Sequence, residues 1–546
     1  MALWRLWIAG LCVLLPVAAS LAQPGNPQIS ASDIVVDWSA DDGHVSRWLV
    51  RDHPKSDPDQ WRSLISETGA GQQISRHLSL DIVTDGSWLP NAALPDSSDD
   101  PSSIVQRWVA ADGSWQLEQR LEHAGVGYRL DLIIELTRVG TTGQPSARTT
   151  PIRLLLGPGL GEEPIEGLGI ASNLYSFVEP VIRTAGSTER IPLSGLDDRL
   201  NDRLNDRHNN RHTVALSGAM DETWFGLNSR YFALLLNPVA GTDLGDVSFR
   251  LDESREPESL PSQYLPVVTV ELEVAELAAG QSARWQFEVF SGPKSRAALT
   301  GTADASDYSG LLFHGLWRWM RGLSLGLLRV LEWLYGLVPS WGLAICLLAV
   351  LVRLILYPVA RWALSSQQKF SDVQRRIQPE MARIKKKYKG GEQSERILQL
   401  YEKHGVSPLA GLKPLLIVLI QIPVFVALFH VLGQAFELRQ ASFLWMDSLA
   451  EPDRLFGFGF DLPFFGAYFN LLPVLMAIST LITIKLSPAP ASSDAERRRQ
   501  NIFMILMALA FFLLFYPFPS GMVLYWTIAN VLHIVQARIT PRPPAP

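Results

Sequence analysis

Apolar residues gather in five long runs in the last part of the chain, whereas apolar and polar residues alternate over much of the first part. A helix of about 20 apolar residues crosses the roughly 30 Å hydrocarbon core of a bilayer. The runs therefore predict transmembrane helices at residues 341–360, 412–432, 467–486, 501–516 and 521–537. The last two runs are short, and Pro517 and Pro519 between them predict a tight turn.

Residues 27–300 have the pattern of strands instead. Residues 268–274 alternate strictly between apolar and polar side chains. Trp285, Phe287 and Val289 alternate with Gln286, Glu288 and Phe290, less cleanly at the end. Many short alternating runs separated by proline and glycine are typical of an antiparallel β-sandwich. This region contains no Ser/His/Asp, HExxH or phosphate-loop motif. We therefore expect no catalytic residue, no metal site and no cofactor, and we expect that the protein is not an enzyme.

The amino terminus has the features of an export signal. Residues 1–22 combine Arg5, an apolar core and the small residues Ser20 and Ala22 before Gln23. This pattern predicts a signal peptide, with an uncleaved signal anchor as the alternative. Either form would export the β-rich region that follows.

The junction at residues 309–338 predicts an amphipathic helix in the membrane surface. Its polar side chains fall within one arc of a helical projection, and its other faces are rich in leucine and tryptophan. The polar set is His314, Arg318, Arg321, Arg329 and Glu332. The alternative is a buried helix of the soluble domain.

Loop charge predicts the orientation of the spans. Residues 361–413 contain 12 Lys and Arg against five Asp and Glu, and Arg497 to Arg499 and Arg538 add further basic charge. Basic loops stay in the cytoplasm. We therefore expect a cytoplasmic helical hairpin at 361–411, a cytoplasmic loop at 487–500 and a cytoplasmic tail at 538–546. The loop at 433–466 and the β-rich region then lie in the periplasm.

The hairpin carries the densest basic charge of the chain, although the net charge is −6 overall and gives no case for specific DNA binding. This surface could bind ribosomal RNA, anionic lipid or nascent protein, or it could only be solvated and set the orientation. The candidate recruitment residues are Arg375, Arg376, Arg383, Lys385, Lys386 and Lys387.

Polar residues inside the spans are the main indication of function. An arginine within a span costs roughly 2.5–3.5 kcal/mol on insertion scales, so Arg353 requires an explanation. It could extend to the headgroups or face a hydrated groove between helices. Arg353, Gln421, Thr480, Thr527 and Asn530, on several spans, favour the groove. Ser479, Thr483 and His533 are further polar residues in the spans, and Asn530 and His533 share a helix face.

Several short motifs resemble the YidC/Oxa/Alb group of membrane protein insertases, in its Gram-negative form. The resemblance covers nearly the whole chain and is specific between about residues 309 and 538. The matching motifs are Val352-Arg353, Tyr357-Pro358, Gln378-Pro379, Leu400-Tyr401, Pro408-Leu409-Ala410-Gly411, Gln421-Ile422-Pro423-Val424-Phe425, Glu437-Leu438-Arg439-Gln440-Ala441, Lys485-Leu486-Ser487-Pro488, Phe518-Pro519-Ser520-Gly521 and Leu524-Tyr525, with Gly292-Pro293-Lys294 in the β region.

The resemblance implies a polytopic α-helical membrane domain with a five-helix insertase core, plus a periplasmic all-β supersandwich domain. It implies a chaperone and insertase of the bacterial inner membrane. A positively charged groove would receive polar segments of nascent membrane proteins, while their apolar helices slide past Phe425, Tyr525 and Trp526. The implied partners are the lipid bilayer, the Sec translocon, the ribosome and the signal recognition particle.

The chain departs from this pattern at two positions, in one spacing, and in its signal-like start, because the family generally keeps its first span. Ala349 stands where the family often has a hydroxyl residue one turn before the arginine, and Trp526 stands where tyrosine is common. The spacing from Pro414 to Gln421 is about three residues longer than usual, which rotates a helix by about 300° and leaves open which face Gln421 presents.

A second hypothesis is a membrane-anchored periplasmic carbohydrate-binding protein. It predicts clustered carboxylates and aromatic rings in one cleft of the β domain, and tolerance of changes at Arg353. Five spans containing polar residues exceed what an anchor needs.

Overall fold

A computed structural model of the chain contains two compact units, one mostly of strands and one mostly of helices. The first comprises residues 1–164 with 174–315, and the second comprises residues 165–173 with 316–546. The structure describes residues 28–38, 45–51, 61–64, 78–82, 88–90, 102–125, 127–139, 152–157, 160, 178–184, 187–191, 212–215, 223–242, 244–253, 264–274, 276–301, 306–403, 413–462, 465–486 and 494–539.

The described part of the first unit forms three antiparallel sheets. Their orders are β1-β2-β3-β4, β13-β16-β17-β10-β5 and β12-β11-β14-β15-β18-β9-β8-β7-β6. The strands are β1 (Gln28–Ser30), β2 (Ile34–Trp38), β3 (Val45–Arg51), β4 (Trp61–Ser63), β5 (Ser79–Ile82), β6 (Trp88–Pro90), β7 (Ser103–Ala110), β8 (Trp115–His123), β9 (Arg129–Arg138), β10 (Ile152–Leu156), β11 (Val178–Thr184), β12 (Ser187–Arg190), β13 (His212–Ala215), β14 (Trp224–Ser229), β15 (Phe232–Pro238), β16 (Leu244–Glu253), β17 (Tyr264–Leu272) and β18 (Ser282–Pro293).

Alternation along these strands separates a buried face from a solvated one. In β9, Leu130, Leu132, Ile134 and Leu136 are buried while the residues between them are partly exposed. Strand β17 packs against β11 and β14, which brings the five-stranded sheet onto the nine-stranded sheet. The prediction of antiparallel strands in this region is confirmed. The predicted export signal at 1–22 lies outside the described residues.

The described part of the second unit consists of helices and one β-hairpin. The helices, numbered after the short α1 (Arg296–Leu299) of the first unit, are α2 (Arg318–Leu337), α3 (Trp341–Lys387), α4 (Gly391–Lys403), α5 (Lys413–Gln434), α6 (Leu471–Leu486), α7 (Asp494–Phe515) and α8 (Ser520–Ile539). The hairpin strands are β19 (Phe456–Leu462) and β20 (Gly466–Phe469). Helix α8 packs against α6 and α3, and α5 packs against α2 and α3.

The amphipathic helix begins at Arg318, so the predicted start at residue 309 is wrong. Gly315 has a φ of +83° and Phe313 a φ of +53°, and neither angle fits a right-handed helix. His314 therefore does not share the polar face of α2. It lies in the first unit, where its Nε2 is 3.0 Å from Oε1 of the buried Glu179.

Helix α3 continues without interruption from the first predicted span into the predicted hairpin. Its 47 residues extend for about 70 Å. The helix ends at Lys387, Tyr388 is extended, and Gly390, with a φ of +66°, leads into α4. Leu400 of α4 and Ile377 of α3 are both buried, and Arg396 lies over the ring of Tyr388 at 4.4 Å. Helices α3 and α4 pack against each other, which closes the hairpin.

Two stretches in the described residues are long and apolar enough to cross a bilayer as helices, Trp341–Val359 and Arg498–Phe515. Shorter apolar helical stretches cover Gln421–Gln434 and Leu471–Thr483.

Candidate functional site

Arg353 lies at the edge of the buried face of α3. Ile345, Leu348, Ala349 and Val352 of this helix are buried, and Arg353 follows Ala349 by one turn. Its guanidinium Nη2 donates a hydrogen bond to Nδ1 of His533 on α8. The sequence therefore directs this charge toward other helices of the unit.

The partner of Arg353 defines the protonation of His533. A guanidinium has only donors, so the ring nitrogen that faces it must accept and carry no proton. A neutral imidazole then carries its proton on Nε2. Tyr525, also on α8, lies within electrostatic range of the same guanidinium.

Asn530 connects α8 to α6, one turn from His533. Its Nδ2 donates to Thr480 Oγ1 at 2.8 Å and lies 3.3 Å from Ser479 Oγ. Both hydroxyls donate to the carbonyl oxygen of Met476 at 2.8 Å, which leaves their lone pairs for the amide. The hydroxyl of Thr527 is buried and donates to Val523 O of its own helix at 2.7 Å.

These contacts form a band of polar side chains along α8, between α3 and α6. We refer to this set as the polar seam. It consists of Arg353, Ser479, Thr480, Thr527, Asn530 and His533. The seam thus brings together four of the five groove residues predicted from the sequence, and it adds His533 and Ser479. The shared face of Asn530 and His533 was the sequence signal for His533.

Gln421 is the fifth predicted groove residue and lies on α5. It precedes the buried Leu428 by seven residues, so both side chains fall on one face of the helix. The hydrogen bonds that join Arg353 to His533 and Asn530 to α6 do not involve Gln421. Gln421 therefore lies near the packed side of α5, where its own side chain is partly exposed.

The aromatic residues predicted to contact a substrate helix have different surroundings. Phe425 and Trp526 meet edge to face, with ring centroids 5.1 Å apart. Trp526 also lies 5.4 Å from Phe515 and 6.1 Å from Phe511 of α7. Tyr525, on the neighbouring position of α8, is buried. Trp526 is thus the centre of an aromatic cluster that joins α5, α7 and α8.

The predicted recruitment residues all lie on the second half of α3. The side chains of Arg383, Lys386 and Lys387 are exposed. The side chains of Arg375, Arg376 and Lys385 lie outside the described residues. One continuous helix therefore carries both Arg353 and the basic surface. Lys387 follows Arg353 by 34 positions, or about 51 Å along the helix.

Asp453 organises the loop that precedes α6. Its Oδ2 accepts hydrogen bonds from the amides of Leu471 and Leu472, both at 2.8 Å, and from Trp445 Nε1 at 3.0 Å. Burial raises the pKa of this carboxyl, and the three donors oppose the rise. A side chain 18 residues upstream thus supplies acceptors for the first amides of α6.

Comparisons with known proteins place the clearest similarity in the helical unit. Residues 333–544 match the family model of the 60Kd inner membrane protein. The chain is 33% identical over 321 residues to the membrane protein insertase YidC of Syntrophobacter fumaroxidans, covering 58% of this chain and 52% of the relative. It is 30% identical over 343 residues to the protein of that name from Chlamydia trachomatis serovar D, covering 58% and 42%. The matches thus span about half the length of these curated relatives.

Among solved structures, the chain is similar to an active YidC insertase crystal structure with the first transmembrane domain resolved. The sequence identity is 18%, the coverage is 98% of this chain and 99% of that one, and the TM-score is 0.34. A score this low establishes no common geometry for the two chains.

Proposed function

We propose that the chain is a membrane protein insertase of the family of 60Kd inner membrane proteins, because residues 333–544 match the model of that family and two relatives named membrane protein insertase YidC are 33% and 30% identical to it. In this proposal it inserts nascent integral membrane proteins into the bacterial inner membrane and helps them to fold. The polar seam is the observation that supports the proposal most directly, because hydrogen-bonding side chains and one arginine converge between apolar helices.

The proposed topology has five spans at residues 341–360, 412–432, 467–486, 501–516 and 521–537, which form the insertase core. The two long apolar helical stretches and the two shorter ones support four of these positions. The basic residues of α3 and at the ends of α7 and α8 support a cytoplasmic location for those ends. The β-sheet unit is then periplasmic, and we propose a supersandwich architecture for it.

The depth of the polar residues along their helices supports a groove open to the cytoplasm. Each lies five or eight residues from a basic residue at the proposed cytoplasmic end of its own helix, which corresponds to about 8–12 Å. The four pairs are Arg353 with Arg361, Gln421 with Lys413, Thr480 with Lys485 and Asn530 with Arg538. Four helices thus carry polar groups at a similar depth, which is the arrangement that a hydrated inner-leaflet groove requires.

The groove would lower the barrier to translocation in two steps. A polar or acidic segment of a nascent protein exchanges bulk water for the Arg353 charge and for the donors and acceptors of the seam. Removing the segment from water therefore costs less free energy in the groove than in lipid. The apolar helix of the substrate then moves into lipid beside the aromatic cluster around Trp526, and burial of its apolar surface supplies the driving force. Neither step requires a nucleotide.

The exposed basic side chains at the end of α3 would bring substrates to the groove. Their positive charge suits ribosomal RNA, acidic nascent segments and anionic headgroups. We propose that ribosomes, the signal recognition particle pathway and the Sec translocon deliver or share substrates at this surface. The carbohydrate-binding alternative offers no account of the polar seam, because an anchor has no use for Arg353.

Complementation tests the proposal. The native chain is expressed in a bacterium depleted of its own insertase, and growth and substrate insertion are scored. We expect both to be restored. Failure of a well-expressed, membrane-integrated chain, in several hosts to exclude incompatibility, would contradict the proposed function.

A further inference from the structure

The loop between α5 and α6 carries an aromatic β-hairpin with a regular pattern. Strand β19 contains Phe-Gly-Phe-Gly-Phe at residues 456–460. Gly459, with a φ of +76°, interrupts the regular strand, but the rings of Phe456, Phe458 and Phe460 still follow one another at centroid distances of 5.7 Å and 6.2 Å and form one row. Phe469 of β20 stacks on Phe456 with ring centroids 5.0 Å apart and an interplanar angle of 21°. We call these four rings the phenylalanine face.

The phenylalanine face is exposed within its unit. The side chain of Phe456 is 52% exposed and that of Phe460 is 62% exposed. The ring of Phe458 lies between them, 5.7 Å from Phe456 and 6.2 Å from Phe460. Contiguous apolar surface of this kind marks an interaction site, because soluble surfaces rarely display several adjacent aromatic rings.

The hairpin is fixed to the helices rather than suspended from them. Phe465 packs edge to face on Tyr516 at the end of α7, with centroids 4.8 Å apart. The hydroxyl of Tyr516 donates to Tyr468 O at 3.0 Å, and Asn470 Nδ2 donates to Tyr516 O at 2.9 Å. The phenylalanine face therefore has a defined height relative to α6 and α7.

The hairpin adjoins the apolar surface of these two helices. Strand β20 ends at Phe469, two residues before the first residue of α6. Helices α6 and α7 expose apolar side chains, among them Leu475, Ile478 and Leu509. Residues 455–460 contain no charge, and phenylalanine has no polar group to hold at the level of the headgroups. The exposed rings thus continue the lipid-facing surface at the outer end of the helices.

We propose that the phenylalanine face lies in the outer leaflet, at the boundary between headgroups and acyl chains, with lipid as its occupant. This inference rests on the proposed membrane topology and extends it. The hairpin would fix the vertical position of α6 and α7, and with it the depth of Ser479, Thr480 and the rest of the polar seam below.

Depth-dependent fluorescence quenching tests this placement. The chain has only two cysteines, so Cys12→Ala and Cys346→Ala give a background for single labels. An environment-sensitive fluorophore is attached at Phe460→Cys in the full-length protein, and at Phe456→Cys as an independent second site. Asp447→Cys, exposed and polar in the same loop, is the matched control, and Leu509→Cys reports the span itself. The protein is reconstituted in vesicles that carry a nitroxide near the carbonyl end or near the methyl end of the acyl chain, with iodide as the aqueous quencher.

We expect the nitroxide near the carbonyl end to quench positions 460 and 456 to an extent comparable with position 509, and to quench position 447 only weakly. Quenching of 460 and 456 by iodide alone would overturn the proposal, because the rings would then lie in water. Resistance to both quenchers would also overturn it, because protein would then cover the face. If position 509 were not quenched by either nitroxide, the spanning topology itself would fail, and that outcome is distinct from failure of the hairpin proposal.

Discussion

Arg353 of α3 donates a hydrogen bond to the unprotonated Nδ1 of His533 on α8, although 180 residues separate them in sequence. This contact fixes the direction of the only charge within the first predicted span. A guanidinium held by a neutral acceptor keeps its full charge and its other donors for a substrate. His533 is therefore a positioning residue in the proposed insertase.

The first prediction concerns that positioning. His533→Gln keeps a side-chain acceptor, so insertion should remain near the native rate. His533→Lys places a second cation beside Arg353 and should reduce insertion severalfold. Insertion of a reporter into vesicles is measured with thermal unfolding of each variant alongside. Equal losses for both variants at unchanged stability would show that acceptor chemistry at this position is irrelevant.

The second prediction concerns the bond between α8 and α6. Asn530→Leu and Thr480→Val each remove the same interhelical hydrogen bond, and such bonds in membranes contribute about 0.6 kcal/mol on average and about 1.7 kcal/mol at most. The two losses in unfolding free energy should therefore not add in the double variant. Thr527→Val is the matched control, because the Thr527 hydroxyl bonds its own helix. Fully additive losses would show that the Asn530–Thr480 bond contributes nothing in the membrane.

The third prediction concerns the cap of α6. Asp453→Ala leaves the amides of Leu471 and Leu472 and the indole of Trp445 without this acceptor, and loss of a capping acceptor costs about 1 kcal/mol. Asp453→Asn retains an acceptor oxygen and should lose less. Thermal unfolding in detergent at neutral pH measures both. Identical transitions for the native chain and the alanine variant would contradict the capping role.

The fourth prediction follows from the raised pKa of Asp453. A carboxyl whose pKa is raised by burial binds its proton more tightly in the folded chain than in the unfolded chain, where it is about 3.9. Its contribution to stability is therefore greatest below the unfolded pKa and declines as pH rises through the folded value. The unfolding temperature of the native chain should fall between acidic and neutral pH in part because Asp453 loses its proton. Asp453→Asn cannot titrate, so its unfolding temperature should fall less over the same pH range. An unchanged pH profile in the variant would show that Asp453 does not titrate in this way.

The fifth prediction separates recruitment from insertion. Replacing Arg383, Lys386 and Lys387 by glutamine removes three exposed positive charges from the end of α3. Insertion should fall at low substrate concentration and low salt, and recover at saturating substrate, because electrostatic capture is screened by salt. Arg353→Ala should instead lower insertion at every concentration. A loss that saturation does not repair would place these charges in the translocation step.

Local patterns predicted much of this architecture. Alternation identified the strands at residues 268–274 and around Trp285, since a half-buried strand must alternate. Hydropathy identified the helical unit, and the spacing of Asn530 and His533 indicated one polar face. The junction helix was placed too early because a projection of His314 and Arg318 on one helix ignores the positive φ angles of Phe313 and Gly315.

Long-range pairing was beyond the sequence. The partners of Arg353 and Asn530 lie on other helices, and periodicity within one helix cannot identify them. Asp453 caps a helix that begins 18 residues later, which no local capping motif indicates. The sequence did not indicate which face of α5 carries Gln421, and the buried Leu428, seven residues later, was needed to assign it.

The most direct test of the account compares three forms of the purified chain in vesicles, native, Arg353→Lys and Arg353→Ala, for insertion of a substrate with an acidic outer segment. Arg361→Ala, an exposed arginine of the same helix, is the control. We expect lysine to retain most of the native insertion rate, alanine to lose most of it, and the control to match the native form. Full activity of Arg353→Ala with native stability would contradict a positively charged groove and would leave Arg353 as an interfacial anchor.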